Sequence, residues 1–193
     1  MSRETFLVVR YVIINTNKLV KIYSEKGEIG MNEKLSVSKT ILENAKKDGE
    51  FLKIILEKYD AVWRSDPNKL AENFAEEQIS LLIFGILYNQ VQNGGFLQLL
   101  FNNYAPYVFG SPLSASLRHW GATETADLIE TIQDRSLQVA NEIKGGSLND
   151  LSESYSEYPE FEQYDNDFYR NDGTKEIEAY VKIHISEFII IAE

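Results

Sequence analysis

From Ile79 to Val91 the chain reads ISLLIFGILYNQV. Ile79, Leu82, Ile83, Ile86, Leu87 and Val91 recur at helical spacing, while Leu81, Phe84 and Tyr88 fill the remaining sides. A helix apolar almost all round has no face to give to water, so it belongs at the centre of a core with other helices around it. Directly after it comes Asn93-Gly94-Gly95, then Phe96, Leu97, Leu99, Leu100 and Phe101. The pattern predicts that the buried helix ends at Asn93-Gly94 on a left-handed glycine and that a short second helix follows.

The surrounding stretches have the amphipathic spacing such a centre needs. Phe51, Leu52, Ile55, Leu56, Tyr59, Val62 and Trp63 form one stripe. Leu128, Ile129, Ile132, Val139, Ala140 and Ile143 form another, entered at Thr123 and closed by Gly145-Gly146. Ile177, Tyr180, Val181, His184, Ile185 and Phe188 mark a last helix. Pro67 breaks the chain, Asn73 is placed to cap the central helix with Glu76 and Glu77 in its first turn, and Pro106 and Pro112 bracket a loop. The expectation is an all-α, compact multi-helix single domain over residues 31–193, with no strand pairs beyond residue 30. Residues 1–30 differ: they are mildly basic, β-branched and aromatic, and read as an N-terminal appendage, a poorly ordered strand or loop. Met31 stands where the composition changes, and a functional chain could start there.

Several chemistries are disfavoured by residue type. There is no cysteine among the 193 residues, which removes disulfides, thiol catalysis and Cys-ligated zinc. No apolar run approaches the ~20 residues of a membrane span, and FLVVRYVII (Phe6 to Ile14) is split by Arg10, so the cytoplasm is the default compartment. A phosphate nest wants glycines with a nearby Lys or Arg, but the neighbours of Gly94-Gly95 are Gln92, Asn93, Phe96, Leu97 and Gln98. The pair therefore reads as a helix–helix turn. Only two histidines exist, His119 beside Trp120 and His184 on the apolar stripe of the last helix, the second read as a core residue. Two histidines without cysteine make a poor metal set, no serine sits in a nucleophile elbow, and no metal, cofactor or catalytic residue is expected.

Charge carries more information. The formal net charge is −11; residues 1–30 are +2, so the remainder is −13. A field of that sign repels nucleic acid and attracts basic partners. It peaks over residues 149–178, where ten acids face only Arg170 and Lys175. Tyr155, Tyr158, Phe161, Tyr164, Phe168 and Tyr169 interleave with them, and positions 161, 164 and 168 share a helical face able to anchor the segment on the core. Its acids are then expected to project outward. Helical neighbours at i+3 and i+4 lie ~5–6 Å apart, against ~3.4 Å between phosphates along one DNA strand. Such a ridge can approximate a row of phosphates, more sparsely. From composition alone the favoured reading is a solvated acidic face with no partner.

The blocks NGGFLQLLFNN, LRHWGATETADLI and FEQYDNDFYRND with EIEAYVKIHISEF resemble, in order, those of a bacterial DNA-mimic protein family, over about Glu72 to Phe188. The resemblance implies an α-helical fold, possible homodimerisation, and an acidic surface that occupies a basic DNA-binding protein such as a helix-turn-helix regulator or a histone-like nucleoid protein. It implies a structural role for Asn93, Gly94, Gly95, Phe96 and Asn102. The DNA-mimicking acids expected to bind the partner are Asp150, Glu153, Glu157, Glu160, Glu162, Asp165, Asp167 and Asp172, with Glu43, Asp48, Glu50, Glu57 and Asp60 as a second set. The rival reading is an immunity- or antitoxin-type module for a basic partner, which shares the charge argument without DNA competition.

Overall fold

A computed structural model describes residues 8–13, 19–24, 34–65, 74–143 and 148–193, the backbone alone for 8–13, 19–24 and 148–150. Strands β1 (Val8–Ile13) and β2 (Leu19–Ser24) pair antiparallel, Val8 with Ser24 through Ile13 with Leu19. Strand β3 (Leu35–Ser38) leads into α1 (Lys39–Asp48) and α2 (Phe51–Ser65). The central helix α3 spans Glu76–Phe101, and the short α4 (Ala105–Phe109) and α5 (Leu113–His119) follow it. Then come α6 (Thr123–Glu142), α7 (Leu148–Glu157), α8 (Glu160–Arg170), α9 (Thr174–Ile183), α10 (Ile185–Phe188) and β4 (Ile189–Ala192). The fold is all-α in class, and α3 is its axis.

The expected buried central helix is present, but it starts from Ala75 as its N-cap position and is broken at Gly94-Gly95 without the left-handed helical closure expected there. Leu81 through Leu87 are all buried, and the helix touches α2, α4, α5, α6, α7, α8 and α10. Its first turn is closed by Gln78, whose Oε1 accepts the Ala75 N–H at 2.8 Å. Asn73, the expected cap, lies outside the described residues, as do Pro67 and Gly145-Gly146. The buried Gln78 also donates from Nε2 to the Tyr59 hydroxyl (3.1 Å) and to the Phe188 carbonyl (3.2 Å), which Tyr59 itself reaches at 2.6 Å. This network joins α2, α3 and the end of α10 and satisfies polar groups that would be costly to bury alone.

Three expectations need correction. The stretch after Glu33 is not helical at once: Leu35–Ser38 pairs parallel with Ile189–Ala192, so a strand pair does occur beyond residue 30. Four-residue strands joined across the length of the chain leave no periodic signal. The segment bracketed by Pro106 and Pro112 is mostly helix rather than loop: Pro106 lies in the first turn of α4 and Pro112 is the N-cap position of α5, places where a missing N–H costs little. The last helix is two, because the chain breaks at His184, which ends α9 and precedes α10.

Candidate functional site

The break in α3 shapes the surface above it. Gly94 leaves helical geometry, and Gly95 takes φ 73°, ψ −174°, a region essentially restricted to glycine. Helix resumes at Phe96, so a fresh N-terminus opens in the middle of the core. Its Phe96 N–H donates to Asp165 Oδ1 at 2.7 Å, an acid supplied by α8. The glycine pair therefore does cradle an anion, and the anion is the chain's own carboxylate. A Cβ on Gly95 would collide with the Tyr155 hydroxyl and with Asp165, whose Cγ would lie 2.6 Å away.

Asp165 is only 7% exposed. This corrects its assignment as an outward, partner-facing acid. Phe161, Asp165 and Phe168 stand at i, i+4 and i+7, so the face that buries both phenylalanines must also take Asp165 inward. Burial raises its carboxyl above the ordinary range, against the hydrogen bonds from Tyr155 and the Phe96 amide. Tyr155 O–H lies 2.6 Å from Asp165 Oδ2 and 3.1 Å from the Gly94 carbonyl. With Asp165 ionised, that single proton serves the carboxylate. With Asp165 protonated, the acid can donate to Tyr155, and Tyr155 to Gly94. The cluster keeps its partners in either state. Burial first, then Asp165, pushes the Tyr155 phenol well up. Tyr169 adds a second tie from α8, donating to the Val91 carbonyl at 2.8 Å, and Phe168 meets Phe96 edge to face at 5.7 Å.

The remaining expected acids fall into distinct groups. Glu153, Glu157 and Glu162 are exposed, and among the described residues no Lys or Arg pairs with them. Asp167 is half-buried, held by Arg170 (3.1 Å) and Gln163 (2.8 Å). Glu160 is bound by Arg135 at 2.7 Å. Burial alone would raise the Glu160 carboxyl, but its hydrogen bonds from its own backbone and from Arg135 bring it below the usual value. Asp172 caps α9, accepting the Thr174 N–H at 2.9 Å. The Asp150 side chain lies outside the described residues. In the second set, Glu43, Glu50 and Asp60 each pair with a cation of their own helical neighbourhood, while Asp48 and Glu57 are exposed. Of the signature residues, Asn93 closes onto the Asn89 carbonyl and Asn102 donates to Gln90 at 2.6 Å.

Helix α6 brings acids the sequence reading passed over. Asp127, Glu130, Asp134 and Glu142 are exposed along it. Arg118 pairs with both Asp127 and Glu130, leaving that group at net −1, and its hydrogen bond holds the Glu130 carboxyl below its usual value. Glu142 accepts from the Tyr158 hydroxyl at 2.8 Å, next to the Arg135–Glu160 pair. These contacts stitch the end of α6 to the α7–α8 junction. The signal was the i, i+3, i+7 spacing of Asp127, Glu130 and Asp134 opposite the apolar stripe.

The histidines meet around one tyrosine. His119 Nε2 lies 2.9 Å from the Tyr180 hydroxyl, and the His184 ring stacks on Tyr180 at 4.2 Å. His184 is not the core residue expected; it is half-buried at the α9–α10 break and contacts Glu187 at 3.0 Å. Among the described residues, no group of three or more His, Cys, Asp or Glu is placed to hold a metal ion, and no helix is long and apolar enough to cross a membrane.

Comparison with known proteins bears on this surface. Residues 72–184, more than half of the chain, match the family described as DMP19-like protein. The DNA mimic protein DMP19 of Neisseria meningitidis serogroup B is 30% identical over 98 residues. That match takes in 49% of this chain and 59% of the Neisseria protein, short of two thirds of its length. The matched family region contains the glycine break, Asp165 and the whole of α7 and α8.

Proposed function

We propose a function on one premise: this chain belongs to the DMP19-like protein family. The chain is then an acidic DNA mimic that binds a basic DNA-binding protein at its DNA site and so blocks DNA binding. The partner class is a helix-turn-helix regulator or a histone-like nucleoid protein, encountered in the cytoplasm, and the chain needs no catalytic step for this role.

The observation that carries the reading is the α7–α8 ridge. Between Leu148 and Arg170 seven acids face one cation, a local net charge of −6. Glu153, Glu157 and Glu162 stand exposed with no cationic partner among the described residues; Asp165 fastens α8, which carries Glu162, to α3, and accepts a hydrogen bond from Tyr155 of α7, which carries Glu153 and Glu157. Lys and Arg that normally neutralise phosphates would meet fixed carboxylates instead. Glu153 and Glu157 are one helical turn apart, a rise of ~6 Å, so the ridge presents fewer charges per length than a nucleic-acid strand at ~3.4 Å. Anchoring compensates: the acids need little ordering on binding.

A gel-shift competition tests the reading. A partner captured on this chain at low salt should bind its own DNA, and added chain should release that DNA. Release should weaken steeply as salt rises, because long-range attraction is screened. A captured basic partner that keeps its DNA in the presence of the chain would sink the mimic reading in favour of the immunity-type module.

A further inference from the structure

Strand β4 is an edge strand whose outer side pairs with no described strand. Its neighbour β3 is the other edge of the same two-stranded sheet, but there the large side chain Val37 is only 2% exposed. On β4, Ile189 is buried, yet Ile190 and Ile191 are 53% and 48% exposed. Successive strand residues point to opposite faces, so β4 exposes one isoleucine on each face, Ile190 on one and Ile191 beside the buried Ile189 on the other. Exposed isoleucines beside an open row of backbone groups mark a place where a further strand can pair. Parallel strands are otherwise found almost only in sheets covered on both sides.

The chain holds a second unfinished sheet. β1 and β2 pair only with each other among the described strands, and a lone two-stranded hairpin is marginally stable at best. We propose that the β1–β2 hairpin adds to the open edge of β4, so that β3, β4 and the two hairpin strands form one four-stranded sheet.

Three observations select this occupant. The first is reach. Ser24 closes β2, and ten residues separate it from Leu35, which opens β3 and is already paired with Ile189. Ten extended residues span up to about 33 Å, far beyond the ~4.8 Å between neighbouring strands. The tether also sets a local concentration on the order of millimolar. The second is charge. The strand sequences VVRYVI and LVKIYS contain Arg10 and Lys21 and no acid, within a segment of +2, whereas the rest of the chain carries −13. A second copy of the chain would bring a whole chain of net charge −11 to the same contact. The third is composition: both strands are rich in Val, Ile and Tyr, the residues that pair well beside isoleucines.

The test uses the full chain. Strand amides point alternately to the two sides, so part of β4 donates away from β3. In the docked protein these outward amides of Ile189–Ala192 exchange about tenfold or more slowly than unpaired ones. Because the chain has no cysteine, Ser24→Cys carries a single nitroxide. In isotope-labelled chain bearing that nitroxide, diluted into excess unlabelled chain, the Ile190 and Ile191 amide signals should broaden. Coil-like exchange of the outward amides overturns the proposal. So does broadening seen only when unmodified labelled chain is mixed with spin-labelled chain, which would assign the edge to a second copy. Protection without broadening in either sample would assign it to another segment, and overturns it as well.

Discussion

Helices α1–α2 and helices α7–α8 both carry acids on amphipathic faces, and they produce different surfaces. From Lys39 to Ser65 the five acids Glu43, Asp48, Glu50, Glu57 and Asp60 are matched by Lys39, Lys46, Lys47, Lys53, Lys58 and Arg64, a net charge of +1. Three of those acids hold a cation at 3.9, 2.8 and 2.6 Å. From Leu148 to Arg170 seven acids meet Arg170 alone within the segment. The count of acids is similar, but only the second stretch has a field to offer, because screening by neighbouring cations cancels the first locally. The two also differ in how they are held. α1 and α2 rest on apolar contacts, Phe51, Leu52 and Ile55 among them, and on the neutral hydrogen bonds of Tyr59 with Gln78 and the Phe188 carbonyl. α8 is fastened in addition by a buried acid at the break in α3.

The largest effect should come from that fastening. Gly95→Val puts a side chain where Tyr155 and Asp165 already sit, at a backbone conformation reserved for glycine. We expect a loss above about 4 kcal/mol, read as a collapse of the thermal transition; a shift of a degree or two would mean that the break is not the keystone described. Next comes Asp165→Ala, which strands the Phe96 amide and should cost about 2–3 kcal/mol in chemical denaturation. Asp165→Asn keeps an acceptor for Phe96 and a donor for Tyr155 and should change stability by less than about 1 kcal/mol. Equal losses for Ala and Asn would show that the charge itself is required.

The pH dependence follows from the raised carboxyl of Asp165. A folded-state value above the unfolded one means that the fold takes up the proton more readily. The cost of burying the ionised acid is therefore absent below about pH 4 and develops as pH rises through the raised value. The stability of Asp165→Asn relative to wild type should accordingly increase between pH 4 and pH 7, in denaturant titrations at both pH values. The smallest effect belongs to α2: Arg64→Ala removes an exposed pair with Asp60 and should alter stability by less than about 0.5 kcal/mol.

Much of this was legible in the sequence. The all-round apolar run from Ile79 to Val91 demanded a central helix, and the glycine pair demanded a break. What stayed hidden were features of direction and distance. Charge alone points Asp165 to the surface, whereas the face it shares with Phe161 and Phe168 turns it inward. His184 was read on one continuous helix, because the break there involves neither glycine nor proline. The β3–β4 pair rests on LSVS and IIIA, too short for any period and too far apart in the chain for any local cue. The anion at Gly94-Gly95 comes from Asp165, some seventy residues further along the chain, so no neighbouring residue signals it.

The most direct test of the central claim is a gel-shift competition against the captured partner with two charge-reversed variants of equal net charge. Glu153→Lys/Glu157→Lys/Glu162→Lys alters the ridge and Glu43→Lys/Glu50→Lys/Glu57→Lys alters α1–α2; each reverses three acids of a chain at −11, leaving −5. The ridge variant should lose about a hundredfold or more in its ability to displace DNA, while the α1–α2 variant should lose less than about threefold. Equal losses would mean that overall charge, not the anchored α7–α8 ridge, engages the partner, and would contradict the account.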